Sequence, residues 1–513
     1  MNPIETNDET TTDNDTTDDT KAAVIESWNP ATGELVGTVP DMDDAQVRQA
    51  VQRARSASRE WAALSVEARV EHLRAVGQRI VERMDDLVDV VCAETGKTKN
   101  EAIFAELTVT LETVHHLVRQ APKILREQRV SAGAFMTKRA VKWYEPYGVV
   151  GVISPWNYPF TLTMAPVLTA LAAGNTVVLK PSEITPLVGL AVGDLFRDTP
   201  PYEDIVQVVT GRGGTGEALV RGGVDKVSFT GSVATGRKVM QTAADSLTPV
   251  LLELGGKDPM IVCDDADVER AAGAAVWGAF FNAGQTCISV ERVYATEAVY
   301  DEFVAKVVEK AKTLEVGRDL GSMTFPPQRD KVEAHLADAV AKGARVLVGG
   351  RRPPGAIGLQ FEPTVVVDVT HDMDLMRDET FGPVLPIMKV RDEEEALRLA
   401  NDTSYGLDSS VFTTSNEKGE EYARRLSAGT VCVNDVLVNY ALPALPFGGY
   451  GESGFGRAHG EEGLLEMSRV KGVAFDRFGS KREPHWFLPP RAYGVLKRVL
   501  RLRHGKGRRR LTR

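Results

Sequence analysis

Lys226-Val227-Ser228-Phe229-Thr230-Gly231-Ser232-Val233-Ala234-Thr235-Gly236 is a short β-branched run that passes through a Gly-Ser turn into a helix-forming segment. A strand feeding a helix through a tight turn is the repeating unit of a parallel α/β sheet. Working outward, Thr176–Lys180, Ile205–Val209 and Pro249–Leu252 are similar runs, with helical segments Leu187–Phe196, Gly216–Arg221 and Ala234–Ala244 between and after them. Val149–Ser154 precedes them as an apolar strand. The alternation predicts a mainly parallel sheet with helices on both faces. A second αβ series follows from Arg292 to Val433, so the fold class is α/β, with two αβ domains built on parallel-sheet cores. Upstream, Asp44–Glu127 carries Val47, Val51, Ala54, Trp61 and later Ile80, Met84, Leu87 and Val91 at helical spacing. No short-period repeat is present, which removes solenoids and propellers.

A chain of 513 residues exceeds one ordinary core, and 43% hydrophobic with 26% charged residues is a globular composition. Cys92, Cys263, Cys287 and Cys432 show no CxxC or Cys/His spacing, so neither a disulfide framework nor a metal site is indicated, and a reducing cytoplasm fits. No apolar stretch is long enough to span a bilayer.

The net charge of -10 hides an asymmetry, for residues 1–20 hold seven acids and no Lys or Arg, whereas residues 481–513 hold twelve Lys/Arg and one Glu. Residues 1–22 read as a disordered acidic tail. An acidic body argues against nucleic acid as the ligand. Near the other end, Trp486-Phe487-Leu488-Pro489-Pro490 leads into Tyr493, Val495, Leu496, Val499 and Leu500 at helical spacing, with Arg491, Lys497, Arg498, Arg501 and Arg503 between them, then Arg508-Arg509-Arg510. This basic amphipathic pattern suits peripheral contact with an anionic membrane; docking on the acidic body or a partner subunit, and a solvated charge run, are the alternatives.

Two stretches carry chemistry. Asn282-Ala283-Gly284-Gln285-Thr286-Cys287 delivers a cysteine through a Gly-bearing turn after the helical run Ala271–Phe281. Alone, such a cysteine is either a buried filler or a nucleophile. Glu253, in Leu252-Glu253-Leu254-Gly255-Gly256-Lys257, ends an apolar run where a charge needs a task or a partner. A carboxyl there has its pKa raised and can act as a general base, unless it caps a helix or pairs with Lys257. The turn at Gly231 and Ser232 offers free N–H groups for a pyrophosphate, or else merely changes the chain's direction. Lys180-Pro181-Ser182-Glu183 lies at a strand's carboxyl end, where α/β sheets bind ligands, or is a solvated loop pair.

Taken in order, Ser154-Pro155-Trp156-Asn157-Tyr158-Pro159, Lys180–Glu183, Phe229–Ser232, Glu253–Lys257, Gly284–Cys287, Glu379-Thr380-Phe381-Gly382-Pro383 and Pro446-Phe447-Gly448-Gly449 resemble the aldehyde dehydrogenase superfamily over residues 23–475. The resemblance implies NAD-dependent oxidation of an aldehyde to the acid. Cys287 is then the nucleophile, Asn157 and the Cys287 N–H stabilise the oxyanion, and Glu253 activates the water that hydrolyses the thioester. It assigns Lys180 and Glu183 to the adenosine ribose, Trp156, Gly231 and Ser232 to the pyrophosphate region, Glu379 to the nicotinamide ribose and Phe381 to the nicotinamide. The carboxylate of Glu183 favours NAD, with NADP as the alternative.

The same resemblance divides the chain into an NAD-binding domain (23–129 and 147–253), an oligomerisation element (130–146 and 470–480) and a catalytic domain (254–469); the basic amphipathic tail (481–513) extends beyond it. A homodimer or homotetramer is the implied assembly. Family enzymes for succinate semialdehyde often hold its carboxylate with an arginine where this chain has Ala165. Tyr158, Phe160, Leu162, Ala165 and Phe447 instead predict an apolar substrate pocket, unless they simply pack their own helix. An apolar aliphatic or aromatic aldehyde is therefore the leading substrate, ahead of succinate semialdehyde. A redox-silent protein on the same fold and a cysteine hydrolase are the readings from other classes.

Overall fold

The computed structural model describes residues 24–479, 481–483 and 485–505. The acidic tail read at 1–22 and Arg508–Arg510 lie outside these residues. One compact unit contains residues up to 126 and 144–469, and a second contains 127–143 with the chain from 470 on.

The first unit holds two large sheets. The six-stranded sheet has the order Gly454–Phe455, Val250–Glu253, Lys226–Thr230, Val149–Ile153, Thr176–Lys180 and Val206–Val208. Its four inner pairings are parallel, from Val227↔Val250 across to Val177↔Val206, while Gly454↔Glu253 is antiparallel. The central strands Val149–Ile153 and Thr176–Lys180 are buried throughout, which is why they read as continuous apolar runs. Leu251, Val150 and Leu179 pack with Trp61, Leu73 and Ile80 of the N-terminal helices on one face, whereas Val227, Val178 and Leu252 pack with Val47, Val51 and Leu219 on the other.

The seven-stranded sheet has the order Arg345–Val348, Thr364–Val367, Val384–Val390, Val290–Thr296, Asp258–Val262, Ser410–Phe412 and Cys432–Val433. All its pairings are parallel except Arg345↔Val367 at the edge. Helix Val268–Phe280, with Ala271, Ala272, Ala275 and Ala279 buried, lies in this sheet's core. Strand Asp258–Val262 escapes sequence reading because Asp258 and Pro259, both weak strand formers, open it.

Ser468–Asp476, Lys138–Pro146 and Gln128–Val130 form a three-stranded sheet, with Gln128↔Lys142 antiparallel. Lys138 Nζ lies 3.0 Å from Asp476 and 2.5 Å from Glu483, so the first residues of the basic tail are anchored. Helix Ala492–His504 follows, with no buried residue. Among the described residues, no helix is long and apolar enough to cross a membrane.

Candidate active site

Helix Val268–Phe280 is capped by Asp267, whose carboxylate accepts from Arg270 N at 3.1 Å, and it ends in a bend of three left-handed residues. Asn282, Ala283 and Gly284 have φ of 55°, 52° and 69°. Asn and Gly accept this region readily; Ala283 is strained there by about 1–3 kcal/mol. A dense network holds the bend. Glu101 Oε1 accepts from Asn282 N at 3.0 Å, Asn282 Nδ2 donates to the Asn157 carbonyl at 3.1 Å, and Gln285 Oε1 accepts from Thr324 N at 2.8 Å. A Cβ on Gly284 would lie 2.1 Å from the Gly382 carbonyl oxygen. The bend leaves Cys287 half-buried at the meeting point of two cavities, which neither Cys92, Cys263 nor Cys432 reaches.

The first cavity, about 100 Å³, runs between Phe104, Tyr158, Leu162, Trp277, Phe281 and Tyr440 to Cys287, and none of its lining residues is charged. Phe104 stands on a π-helical segment, Ile103–Thr108, whose wider turn shifts the side-chain register, and its ring meets Phe281 edge-on at 6.2 Å. The second cavity, about 40 Å³, is bordered by Glu253, Cys287, Ala165, Leu162, Phe447 and His459 among others. Tyr158 and Leu162 thus face the first cavity, and Leu162, Ala165 and Phe447 the second. Phe160 is a correction: it lines neither, being fully buried among Trp61, Val150 and Leu168, because the first turn of helix Thr161–Ala172 presents it to the opposite side.

Asn157, expected at the oxyanion, is buried and donates Nδ2 to the Gln285 carbonyl at 3.0 Å, beside the cysteine turn. Behind it, Lys97 donates to the Asn157 carbonyl and pairs at 3.3 Å with Glu106, whose Oε2 takes the amides of Phe160 and Thr161 at 3.0 and 2.9 Å. Glu253 ends its strand with a buried carboxyl that no side chain among the described residues hydrogen-bonds; the nearby Ala458 amide is committed to the Phe447 carbonyl at 2.8 Å, and neither a helix cap nor a pair with Lys257 accounts for the carboxyl. Burial pushes its pKa well above the ordinary carboxylate range, opposed by the Arg457 guanidinium. Burial, reinforced by the charges of Asp258, Glu379 and Glu253, also pushes the Cys287 thiol well above its ordinary range. In the resting site burial therefore favours the protonated form of both groups.

The residues expected at a dinucleotide line the carboxyl ends of the six-stranded sheet and a loop of the other. Lys180, the last residue of its strand, lies 3.0 Å from Glu183. Ser232 caps helix Val233–Ala244, its hydroxyl accepting from Thr235 N at 3.3 Å. Trp156 meets Phe381 edge-on at 5.5 Å. Glu379 accepts from Gly256 N at 3.2 Å and is pushed up to about 7 by burial and then by Glu291. Lys257 is spent on Glu291 at 2.6 Å, and Glu291 takes the amides of Thr380 and Phe381, both at 2.8 Å. The cation beside Glu253 in sequence thus organises the loop carrying Glu379 and Phe381. Phe104, Trp277, Tyr440, His459 and Glu291 were not singled out from sequence; only Lys257, inside a recognised stretch, pointed toward Glu291.

Residues 16–473 match the aldehyde dehydrogenase family. The chain belongs to that family. It is 43% identical over 469 residues to the 4,4'-diapolycopene aldehyde oxidase of Methylomonas sp, covering 90% of this chain and 88% of the relative. A Mycolicibacterium smegmatis protein provisionally named succinate-semialdehyde dehydrogenase [NADP(+)] is 40% identical over 454 residues, 87% of each chain. The crystal structure of a Mycobacterium tuberculosis aldehyde dehydrogenase complexed with NAD+ matches with a TM-score of 0.86 at 35% identity, covering 90% of this chain and 96% of that one. This aldehyde dehydrogenase is accordingly an oxidoreductase of the α/β class predicted from its strand and helix alternation.

Proposed function

We propose that this enzyme oxidises an apolar aldehyde to its carboxylic acid with NAD, through an acyl thioester on Cys287. The observation that carries the substrate class is the uncharged aromatic cavity ending on that sulfur. A semialdehyde carboxylate placed there would be a buried charge without a partner, which is strongly disfavoured. Similarity to a relative named for 4,4'-diapolycopene aldehyde points the same way, although another is named for succinate semialdehyde.

In this reading the sulfur of Cys287 bonds to the carbonyl carbon, and Asn157 Nδ2 turns from the Gln285 carbonyl to the developing oxyanion. Glu253 takes the proton of the water that hydrolyses the thioester. A bound nicotinamide dinucleotide supplies the hydride acceptor. The residues present fit it, because Lys180 with Glu183, at the carboxyl end of a parallel strand, offers a donor and an acceptor for ribose hydroxyls, and the buried Glu379 carboxyl, seated on Gly255 and Gly256, offers another acceptor. Lys180, Glu183, Trp156, Gly231, Ser232, Glu379 and Phe381 would hold it, which makes the six-stranded sheet the cofactor-binding body. The partly exposed Glu183 carboxylate repels a 2′-phosphate and favours NAD over NADP.

Oxidation rates with alkanals of rising chain length and with succinate semialdehyde, each with NAD and NADP, test the reading. Preference for the longer alkanals supports it, and preference for succinate semialdehyde defeats it.

A second reading concerns helix Ala492–His504. At about 100° per residue, Tyr493, Val495, Leu496, Val499, Leu500 and Leu502 fall on one half, together with Arg503, and Lys497, Arg498 and Arg501 on the other. Every one of these apolar side chains is exposed, and Phe487 just before them is 93% exposed. An unpaired apolar face flanked by cations suits an anionic bilayer surface. Cosedimentation with phosphatidylserine vesicles that is lost on deleting residues 481–513 supports this; a salt-insensitive change of oligomeric state on the same deletion, without vesicle binding, assigns the helix to another subunit instead.

A further inference from the structure

Glu253 shares its 40 Å³ cavity with an imidazole, His459. The His459 side chain belongs to a residue only 7% exposed, and among the described residues neither Nδ1 nor Nε2 has a hydrogen-bond partner. Its backbone carbonyl, in contrast, is engaged. The carbonyl accepts from Gly463 N at 2.7 Å at the start of helix Gly460–Glu466, and the preceding residue, Ala458, exchanges two amide bonds of 2.8 Å with Phe447. The ring is held in place by Tyr440, with centroids 4.6 Å apart, and by Phe447 at 6.3 Å. Leaving a polar group buried and unpaired costs about 1–3 kcal/mol. Here two such groups, the carboxyl and the imidazole, face one space. A water needs about 10–15 Å³ and polar partners, and this cavity provides both.

Oxidation of an aldehyde releases protons that have to leave this space. When the Cys287 sulfur bonds to the carbonyl carbon, the thiol proton departs. During hydrolysis the water oxygen bonds to the acyl carbon, the carbon–sulfur bond breaks, sulfur regains a proton, and another proton departs as the acid ionises. Two protons are thus released per turnover. A carboxyl whose burial favours the protonated form retains what it takes, so Glu253 needs a second acceptor to be ready for the next water.

We propose that His459 is the proton relay of Glu253: through a water in the shared cavity one imidazole nitrogen accepts a proton as the other releases one toward solvent, so the neutral ring passes on the proton Glu253 has taken without storing the charge. The inference rests on the reading of Glu253 as base. The ionisable neighbour whose charge His459 senses is His116, half-buried on helix Val109–Ile124. Burial and this neighbour lower the imidazole to about 4, so His459 is neutral at pH 7, with one nitrogen free to accept and the other to donate. Its φ of 58° and ψ of 177° strain any residue other than glycine, and His459→Asn and His459→Ala keep that backbone requirement unchanged.

The test uses p-nitrophenyl acetate, which acylates a thiol without dinucleotide, so the nitrophenolate burst counts thioester and the steady rate reads its hydrolysis. His459→Asn keeps polarity but carries no proton; His459→Ala leaves room for imidazole added to the buffer. The expected result is an unchanged burst with a steady rate lowered about 10²-fold, and partial recovery of His459→Ala by imidazole. In a Glu253→Gln background, His459→Asn then produces no further loss. A full burst with an unchanged steady rate overturns the relay, and so does an equal further loss in the Glu253→Gln background. No burst in the wild type would overturn the Cys287 reading itself and the relay with it.

Discussion

Glu253→Gln separates chemistry from folding. The amide is nearly isosteric, so the packing around Leu252 and Leu254 is retained, while the proton-binding site disappears. Because burial raises the folded-state pKa of Glu253 above its unfolded value, the folded state binds that proton more tightly, and stability falls as pH rises from the unfolded pKa toward the folded one. Within that window the wild type loses about 1.4 kcal/mol per pH unit through this group, and the variant does not. Urea unfolding of both proteins at one protein concentration and at several pH values, starting at pH 5, should show a stability difference that grows in the variant's favour with increasing pH. The same substitution removes the base for thioester hydrolysis, a loss of about 10²–10⁴-fold in steady turnover, and abolishes the rise of that rate with pH. NADH absorbance should then show a first-turnover burst followed by a slow phase. A variant that loses stability relative to the wild type as pH rises, or one that turns over at the wild-type rate, refutes the reasoning.

Lys97→Met leaves Glu106 buried with only two backbone amides for company, so unfolding free energy in urea should drop by about 3–5 kcal/mol, and adding Glu106→Gln should recover a large part of it. Glu183→Gln should raise kcat/KM for NADP relative to NAD by about tenfold, read as initial rates with both cofactors, since one repulsive charge is removed beside the expected ribose. Gly284→Ala should cut folded yield and activity together, because its Cβ meets a backbone carbonyl at 2.1 Å that no side-chain rotation relieves.

The parallel architecture was legible because its strands are buried on both faces and so appear as unbroken β-branched runs; Thr176–Lys180 begins and ends where the sequence places it. Cys287, Glu253 and Asn157 were legible through their flanking glycines and prolines, which mark turns. What stayed hidden depends on contacts distant in sequence. Phe104 reaches the substrate cavity through a π-helical turn that no periodicity announces, and Tyr440, Trp277 and His459 come from segments with no motif of their own. Phe160 was misplaced for a related reason: it is the N-cap residue in the turn that leads into helix Thr161–Ala172, where side chains diverge, so sharing a stretch with Tyr158 and Leu162 does not mean sharing their cavity. Strand Asp258–Val262 escaped because propensity opposed what burial between two parallel neighbours enforces.

The most direct test is mass spectrometry of Glu253→Gln quenched in acid after mixing with NAD and an alkanal. The proposed mechanism requires the peptide containing Cys287 to carry the mass of the acyl group, in proportion to the NADH formed in the burst. An acyl group on Cys92, Cys263 or Cys432, or NADH formation without any adduct on Cys287, would contradict it.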